Sequence, residues 1–353
     1  MAFLIAAAVS GALITTPLPS TILLWSIFYS ICSDLNFAKR SRYVTISMVG
    51  MVVAGYAGAA LFPYSPMTQL QLGLLLQIDP TLKVNYMAYI LTVLLFNIAL
   101  IAAMVIFVKY ILRIKVDYKV PETLINMKRE PMTRSQKWVL MYLILACLMM
   151  VAPGFLPASG LKMFLNNLGV TGCFIVISIA MTLTVCEGKS LTNITEALSK
   201  GVTFDLVFLV ATALAMSNIL TAPESGVSIL LAKILDPLFA GMSPILLIAI
   251  MVVVGTVLTN CLNSIVCASL LLPIGYTYLH AVGGNIMLMH CLLSVAILQG
   301  VVMPAGSAMG ALLHGNTDWL SSGGIYKHAT LQEVLLIVVL LLVGVGFGSW
   351  IFG

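Results

Sequence analysis

The stretch "LTNCLNSIVCASLLLPIG", residues 258–275, sets Asn260, Asn263 and Ser264 between two apolar runs. These polar residues are either a short loop outside the lipid or the polar tip of a hairpin that enters it. The flanking segments, 243–259 and 265–280, are near the lower limit for crossing a hydrocarbon core of about 30 Å. A spanning pair and a re-entrant pair both return the chain to one side near His280, so charge alone leaves the two readings open.

Composition fixes the class. The 353 residues are 61% hydrophobic and 8% charged, with a mean hydropathy of +1.11, whereas soluble domains carry about 25% charged residues. Apolar runs fall near 43–62, 87–112, 138–153, 167–186, 203–220, 243–259, 265–280, 284–303 and 331–352, with another at the start of the sequence. They predict an all-α polytopic membrane protein of roughly eight to ten helices, because backbone in lipid must close its hydrogen bonds within each segment.

The net charge of +5 is confined to loops, so it is not a nucleic-acid signal. Lys39, Arg40 and Arg42 form one cluster; Lys109, Arg113, Lys115, Lys119, Lys128, Arg129, Arg134 and Lys137 form another. The positive-inside rule puts loops 38–42 and 109–137 in the cytoplasm of a plasma or inner membrane. Counting crossings onward puts Lys189, Lys200 and Lys327 inside, and Lys83, Lys162, Lys233 and the C-terminus outside. The seven cysteines have no CxxC spacing and read as small hydrophobes. The first twenty residues lack a basic region, which argues against a cleaved signal peptide.

The two sides of the basic loop share landmarks. "ILLWSIFYS" (22–30) superimposes on "SLLLPIGYT" (269–277), with Tyr29 on Tyr276, and "LFPYSPM" (61–67) matches "VMPAGSAM" (302–309), with Pro63 on Pro304. Each half closes with a long apolar helix, 87–112 and 331–352. The expected domains are a first, incomplete repeat over 1–113 with its tip near 15–18, a connecting loop over 114–137, and a second repeat over 138–353 with its tip near 260–265. Inverted repeats with broken helices are a recurring plan of secondary transporters. The segment 190–201, with Leu191, Ile194 and Leu198 at helical spacing, predicts an amphipathic helix on the cytoplasmic face.

With "KGVTFDLVFLVATALAMSNILTAPESGVSILLAKILDPLFAGMSP" (200–244), "LTNCLNSIVCASLLLPI" and "MPAGSAMGALLHGN", the chain resembles the divalent anion/sodium symporter family of the ion transporter superfamily. The resemblance is strongest over 130–353. It implies two re-entrant hairpins, two broken transmembrane helices, transport of di- or tricarboxylates or sulfate coupled to sodium ions, and a homodimer in the lipid bilayer. The family's tip signature falls on Asn263, Ser264 and Ile265 in the second hairpin, and near Thr16, Pro17 and Leu18 in the first. Its helix breaks correspond to "PYSP" (63–66) and "PAGS" (304–307). Both tips depart from the family pattern: the second reorders its polar residues and the first has no Asn.

On this reading the substrate site draws on Asn263, Ser264, Thr15, Thr16 and Ser307. The sodium site draws on Asn260, Asn263, Ser65, Gly306 and Ser307. Pro63, Pro66, Pro304, Gly306 and Gly310 break the helices and free carbonyls for a hard cation, while helix N-termini at a tip and a break suit an anion. His280 and His290 read as interfacial, His314 as facing the cytoplasm, and Asp205 and Glu224 as caps at the lipid boundary. No convincing intramembrane charge is evident, which argues against a proton pump. A truncated or degenerate module without transport activity is the alternative. An intramembrane enzyme is disfavoured, since Ser264 has no evident base and no HExxH or DDxxD motif occurs.

Overall fold

The computed structural model describes residues 1–13, 17–63, 65–113, 131–156, 160–186, 188–193, 195–196, 199, 226 and 241–353. They form thirteen helices in chain order: α1 Ala2–Leu13, α2 Pro17–Asp34, α3 Arg42–Ala59, α4 Pro66–Ile78, α5 Tyr86–Ile106, α6 Arg134–Phe155, α7 Gly160–Leu183, α8 Pro244–Cys261, α9 Ser264–Ala281, α10 Ile286–Ala296, α11 Ala308–Gly315, α12 Ser322–Val339 and α13 Gly346–Phe352. Among the described residues the only strands are β1 Val185–Cys186 and β2 Lys189–Ser190, an antiparallel pair. Among the described residues four helical stretches are long and apolar enough to cross a membrane: Tyr86–Ile111, Pro244–Cys261, Ser264–Ala281 and Ser322–Phe352. The chain divides into two compact units, one of Met1–Tyr118 with Val210–Gly353 and one of Lys119–Leu209.

In apolar surroundings the first N–H groups of a helix find partners only in the protein, and a short polar side chain at the N-cap supplies one. Ser41, Ser65, Asn85, Thr133, Ser243, Asn263, Asn285, Ser307 and Ser321 do so here. Thr133 and Gln136 complete a reciprocal capping box before α6. Proline lacks the N–H that would continue a helix, and Pro63 and Pro304 lie in the gaps between α3 and α4 and between α10 and α11.

In the first unit the contacts define two opposite ends. At one, Arg40 donates to the Thr317 carbonyl (3.1 and 2.5 Å) and Tyr29 stacks on Trp319 at 4.6 Å. The same end holds the start of α1 and the last turns of α2, where Phe3 packs edge-on against Phe28 at 5.3 Å. At the other end Tyr276 donates to Asp79 (3.2 Å), Asn285 donates to the Phe352 carbonyl (3.3 Å), and Gly284 packs against Pro244. The α1–α2 hairpin therefore opens at the first end and the α8–α9 hairpin at the second. The α1–α3 contact is backbone to backbone: a Cβ on Gly58 would lie 2.0 Å from the Ala8 carbonyl oxygen.

Several elements differ from the sequence expectation. The final helix begins at Ser322, not near 331, because Ser321 caps it and its first turns tolerate Lys327 and His328. The apolar run 284–303 is helical only to Ala296, where the break begins. His290 is buried in α10, its ring 5.9 Å from that of Tyr89. In 190–201, Ser190 is in β2, residues 195, 196 and 199 are helical, and Asn193 accepts from the N–H groups of Thr195 and Glu196, while residues 194, 197, 198, 200 and 201 lie outside the described residues. The expected span 203–220, Asp205 and Glu224 also lie outside them.

Candidate ion and substrate site

The polar stretch at 258–264 is a tip joining α8 to α9. Leu262 and Asn263 are extended, and the Asn263 side chain caps α9 by accepting from the Ile265 N–H at 2.8 Å. In the last turn of α8, Thr259 donates to the Ile297 carbonyl (2.6 Å) and its hydroxyl lies 3.2 Å from that of Ser264. Asn260 is 6% exposed and fully used. Its Nδ2 donates to the Thr256 carbonyl (2.9 Å) and to both carboxylate oxygens of Glu333 (3.0 and 2.9 Å). Its Oδ1 accepts from the Val302 N–H at 2.8 Å. One amide thus joins the tip, the 297–307 break and α12.

The break packs against that tip because glycine allows it. A Cβ on Gly306 would stand 2.8 Å from the Thr259 carbonyl oxygen and 3.0 Å from the Asn260 Cα. Ser307 donates to the Gly300 carbonyl (2.5 Å), caps α11 by accepting from the Gly310 N–H (3.0 Å), and is reached by the Tyr56 hydroxyl from α3. His314 Nε2 lies 2.9 Å from the Val302 carbonyl oxygen and its ring faces Tyr326, so the imidazole turns back onto the break. Gln299 is fully buried in the same break, and neither of its amide atoms has a partner among the described residues.

Glu333 corrects the expectation that the spans carry no charge. It is 7% exposed and lies eleven residues after Ser322, the first residue of α12, about 16 Å along the helix at 1.5 Å per residue. A span begun near 331 would have left it at the helix end. Asn97 holds the equivalent place on α5, eleven residues after Tyr86, and donates to the Ala57 carbonyl at 3.0 Å.

Of the predicted site residues, the structure brings Asn260, Ser264, Gly306 and Ser307 together, with Asn263 exposed at the edge of the tip. Ser65 belongs to the first break, where it caps α4 and bonds Thr68 (2.8 Å). Tyr89 closes that break by donating to the Ala60 carbonyl at 2.8 Å, and its hydroxyl is 2.8 Å from Ser294 of α10. Thr15 and Thr16 lie outside the described residues. Sequence reasoning did not name Thr259, Glu333 or Gln299; a lone acid inside an apolar run was the available signal for Glu333.

Chemically, the tip and break offer hydroxyl and amide groups, carbonyls freed from helical pairing, and the first turns of α9 and α11. Among the described residues no three His, Cys, Asp or Glu side chains cluster for a metal, so a cation here would rely on neutral oxygens. Outside the spans, the Asp79 carboxyl is held below the usual carboxylate range, because the Thr81 hydroxyl and N–H both donate to it, helped by Tyr276 and the nearby His280.

Fold and site together define a helical protein with, among the described residues, four helices fit to cross a membrane and a buried polar junction between a hairpin tip and a helix break. No protein-family model matches the chain, and no curated protein matches it.

Proposed function

We propose that this chain is a secondary transporter of small divalent anions (di- or tricarboxylates or sulfate) that works by alternating access. In this reading, α1–α5 and α8–α13 are inverted repeats. The α1–α2 and α8–α9 pairs are re-entrant hairpins, and α3–α4 and α10–α11 are broken transmembrane helices. The observation that carries it is the Asn260 junction, where a hairpin tip meets a helix break about 16 Å inside the end of α12. Two further features support it: the hairpins open at opposite ends of the unit, and the order hairpin, broken helix, long helix occurs twice. Irregular backbone at membrane depth is tolerated where it is buried in protein or lines a cavity, which is where transporters hold substrate.

The anion would sit against the N-terminal turns of α9 and α11, oriented by Asn263, Ser264 and Ser307, with no Lys or Arg required. Sodium coupling, a homodimer and a cytoplasmic position for the Arg40 end follow from the family resemblance and the basic loops, and belong to the same proposal. The test is counterflow of radiolabelled dicarboxylates, tricarboxylates and sulfate in proteoliposomes. Exchange of at least one of them is expected, and Asn263→Ala should reduce it. No exchange across the panel, with and without sodium, would overturn the reading.

A further inference from the structure

We propose that the Glu333 carboxyl is a proton-binding site that latches the α8–α9 tip. Deprotonated, it holds Asn260 and, through Asn260, the helix break; protonated, it lets both go. The functional meaning of the latch rests on the transport reading above, to which it adds the proton as a second coupling ion beside sodium.

An ionised carboxylate only accepts hydrogen bonds. Glu333 receives two from the single Nδ2 of Asn260, and the Val301 N–H also faces it. Charge without a partner is costly at this depth, so intramembrane acids pair, take up a proton, or mark an ion path. The bidentate position in front of the carboxylate, where a metal cation would bind, is filled here by the Asn260 amide. The carboxyl therefore changes state by taking a proton.

Protonation turns one carboxyl oxygen into an O–H, so Nδ2 no longer faces two acceptors, and the charge-assisted bonds are lost. Asn260 Oδ1 is the acceptor for Val302 N–H, so loosening the amide also loosens the break. The step is a plain proton transfer. An O–H bond forms with a proton from water reached through one face, and later breaks to return the proton through the other.

The charged and titratable groups on the neighbouring elements are few. Arg42, Tyr43 and Tyr56 belong to α3, and Tyr86, Tyr89, Lys109 and Tyr110 to α5 and its final turn. Cys261 is on α8, His314 on α11, and Tyr326, Lys327 and His328 on α12 itself. Among the described residues none of them hydrogen-bonds or ion-pairs with Glu333.

Two readouts need no substrate. Infrared difference spectra of the purified protein across a pH titration should contain a carboxylic C=O band that is missing in Glu333→Gln and shifted in frequency in Asn260→Ala. Cys261 is exposed and next to Asn260, so its alkylation, read by peptide mass spectrometry, reports on the tip. Its rate in the wild type relative to Glu333→Gln should change several-fold across the same titration, which cancels the thiol's own pH dependence. Identical spectra in wild type and Glu333→Gln, or a flat alkylation ratio, would overturn the latch. In proteoliposomes the ratio of pH-driven accumulation to counterflow should fall several-fold in Glu333→Gln. Accumulation driven by sodium alone and indifferent to pH would overturn the coupling role. Absence of counterflow with both substrate-free signals intact would instead sink the transport reading and leave the latch standing.

Discussion

Asn260 Nδ2 stands 3.0 and 2.9 Å from the two carboxylate oxygens of Glu333, residues 73 positions apart on α8 and α12. The pair is buried, so each partner is the other's main solvation. Removing one leaves an unsatisfied group, at about 1–3 kcal/mol and more when charge is involved. Asn260→Ala and Glu333→Leu should each lower the unfolding midpoint in detergent. The double variant should be less damaged than the sum, with a coupling energy of about 0.5–3 kcal/mol. Strict additivity would mean the bonds contribute nothing to stability.

Tyr89 performs the matching task at the first break, donating to the Ala60 carbonyl at 2.8 Å and meeting Ser294 at 2.8 Å. Tyr89→Phe removes the hydroxyl while keeping the ring. The expected cost is about 1–3 kcal/mol, because the Ser294 hydroxyl and the carbonyl lose a buried partner. Ser294→Ala alone should cost less, since Tyr89 keeps its bond to Ala60; equal losses would contradict this division of roles.

How far the sequence carried the reading depends on what marks each feature. Tips and breaks are legible because Asn, Ser, Pro and Gly interrupt Leu-rich runs, and Asn260, Ser264, Gly306 and Ser307 do meet. Glu333 stands in the sequence as a lone acid two residues into the expected span 331–352, where it reads as a helix-end charge rather than a buried group. The cap at Ser321 starts α12 far enough ahead to carry the acid inside. Tyr56 and Tyr89 act through contacts between distant elements, and no local pattern encodes those.

Asp79 gives a pH effect outside the spans. Hydrogen bonds from Thr81 depress its folded pKa below the unfolded value of about 3.9. The stabilisation is therefore complete above the unfolded value and is lost as pH falls through the depressed folded one. Wild type and Asp79→Asn should differ in thermal midpoint at neutral pH and converge in strong acid. A gap that persists unchanged at low pH would show that Asp79 contributes through something other than its charge.

Gly58 and Gly73 form a matched pair for packing. A Cβ at Gly58 would lie 2.0 Å from the Ala8 carbonyl, whereas one at Gly73 meets nothing within 4 Å. Gly58→Ala should therefore force α1 away from α3 and destabilise by about 1–3 kcal/mol. Gly73→Ala, within α4, should be neutral or stabilising by up to about 1 kcal/mol from helix propensity alone. Equal melting points for the two variants would refute the close α1–α3 contact.

Gly306 tests the junction of break and tip directly. An added methyl would stand 2.8 Å from the Thr259 carbonyl oxygen and 3.0 Å from the Asn260 Cα, both backbone atoms that a side-chain rotation cannot move aside. The break must shift, and the Asn260–Val302 bond at 2.8 Å must lengthen with it. Gly306→Ala should cost about 1–3 kcal/mol of stability and reduce counterflow more than Gly315→Ala, where a Cβ meets nothing. Comparable counterflow in the two variants would mean that substrate does not depend on the contact between the 297–307 break and the α8–α9 tip.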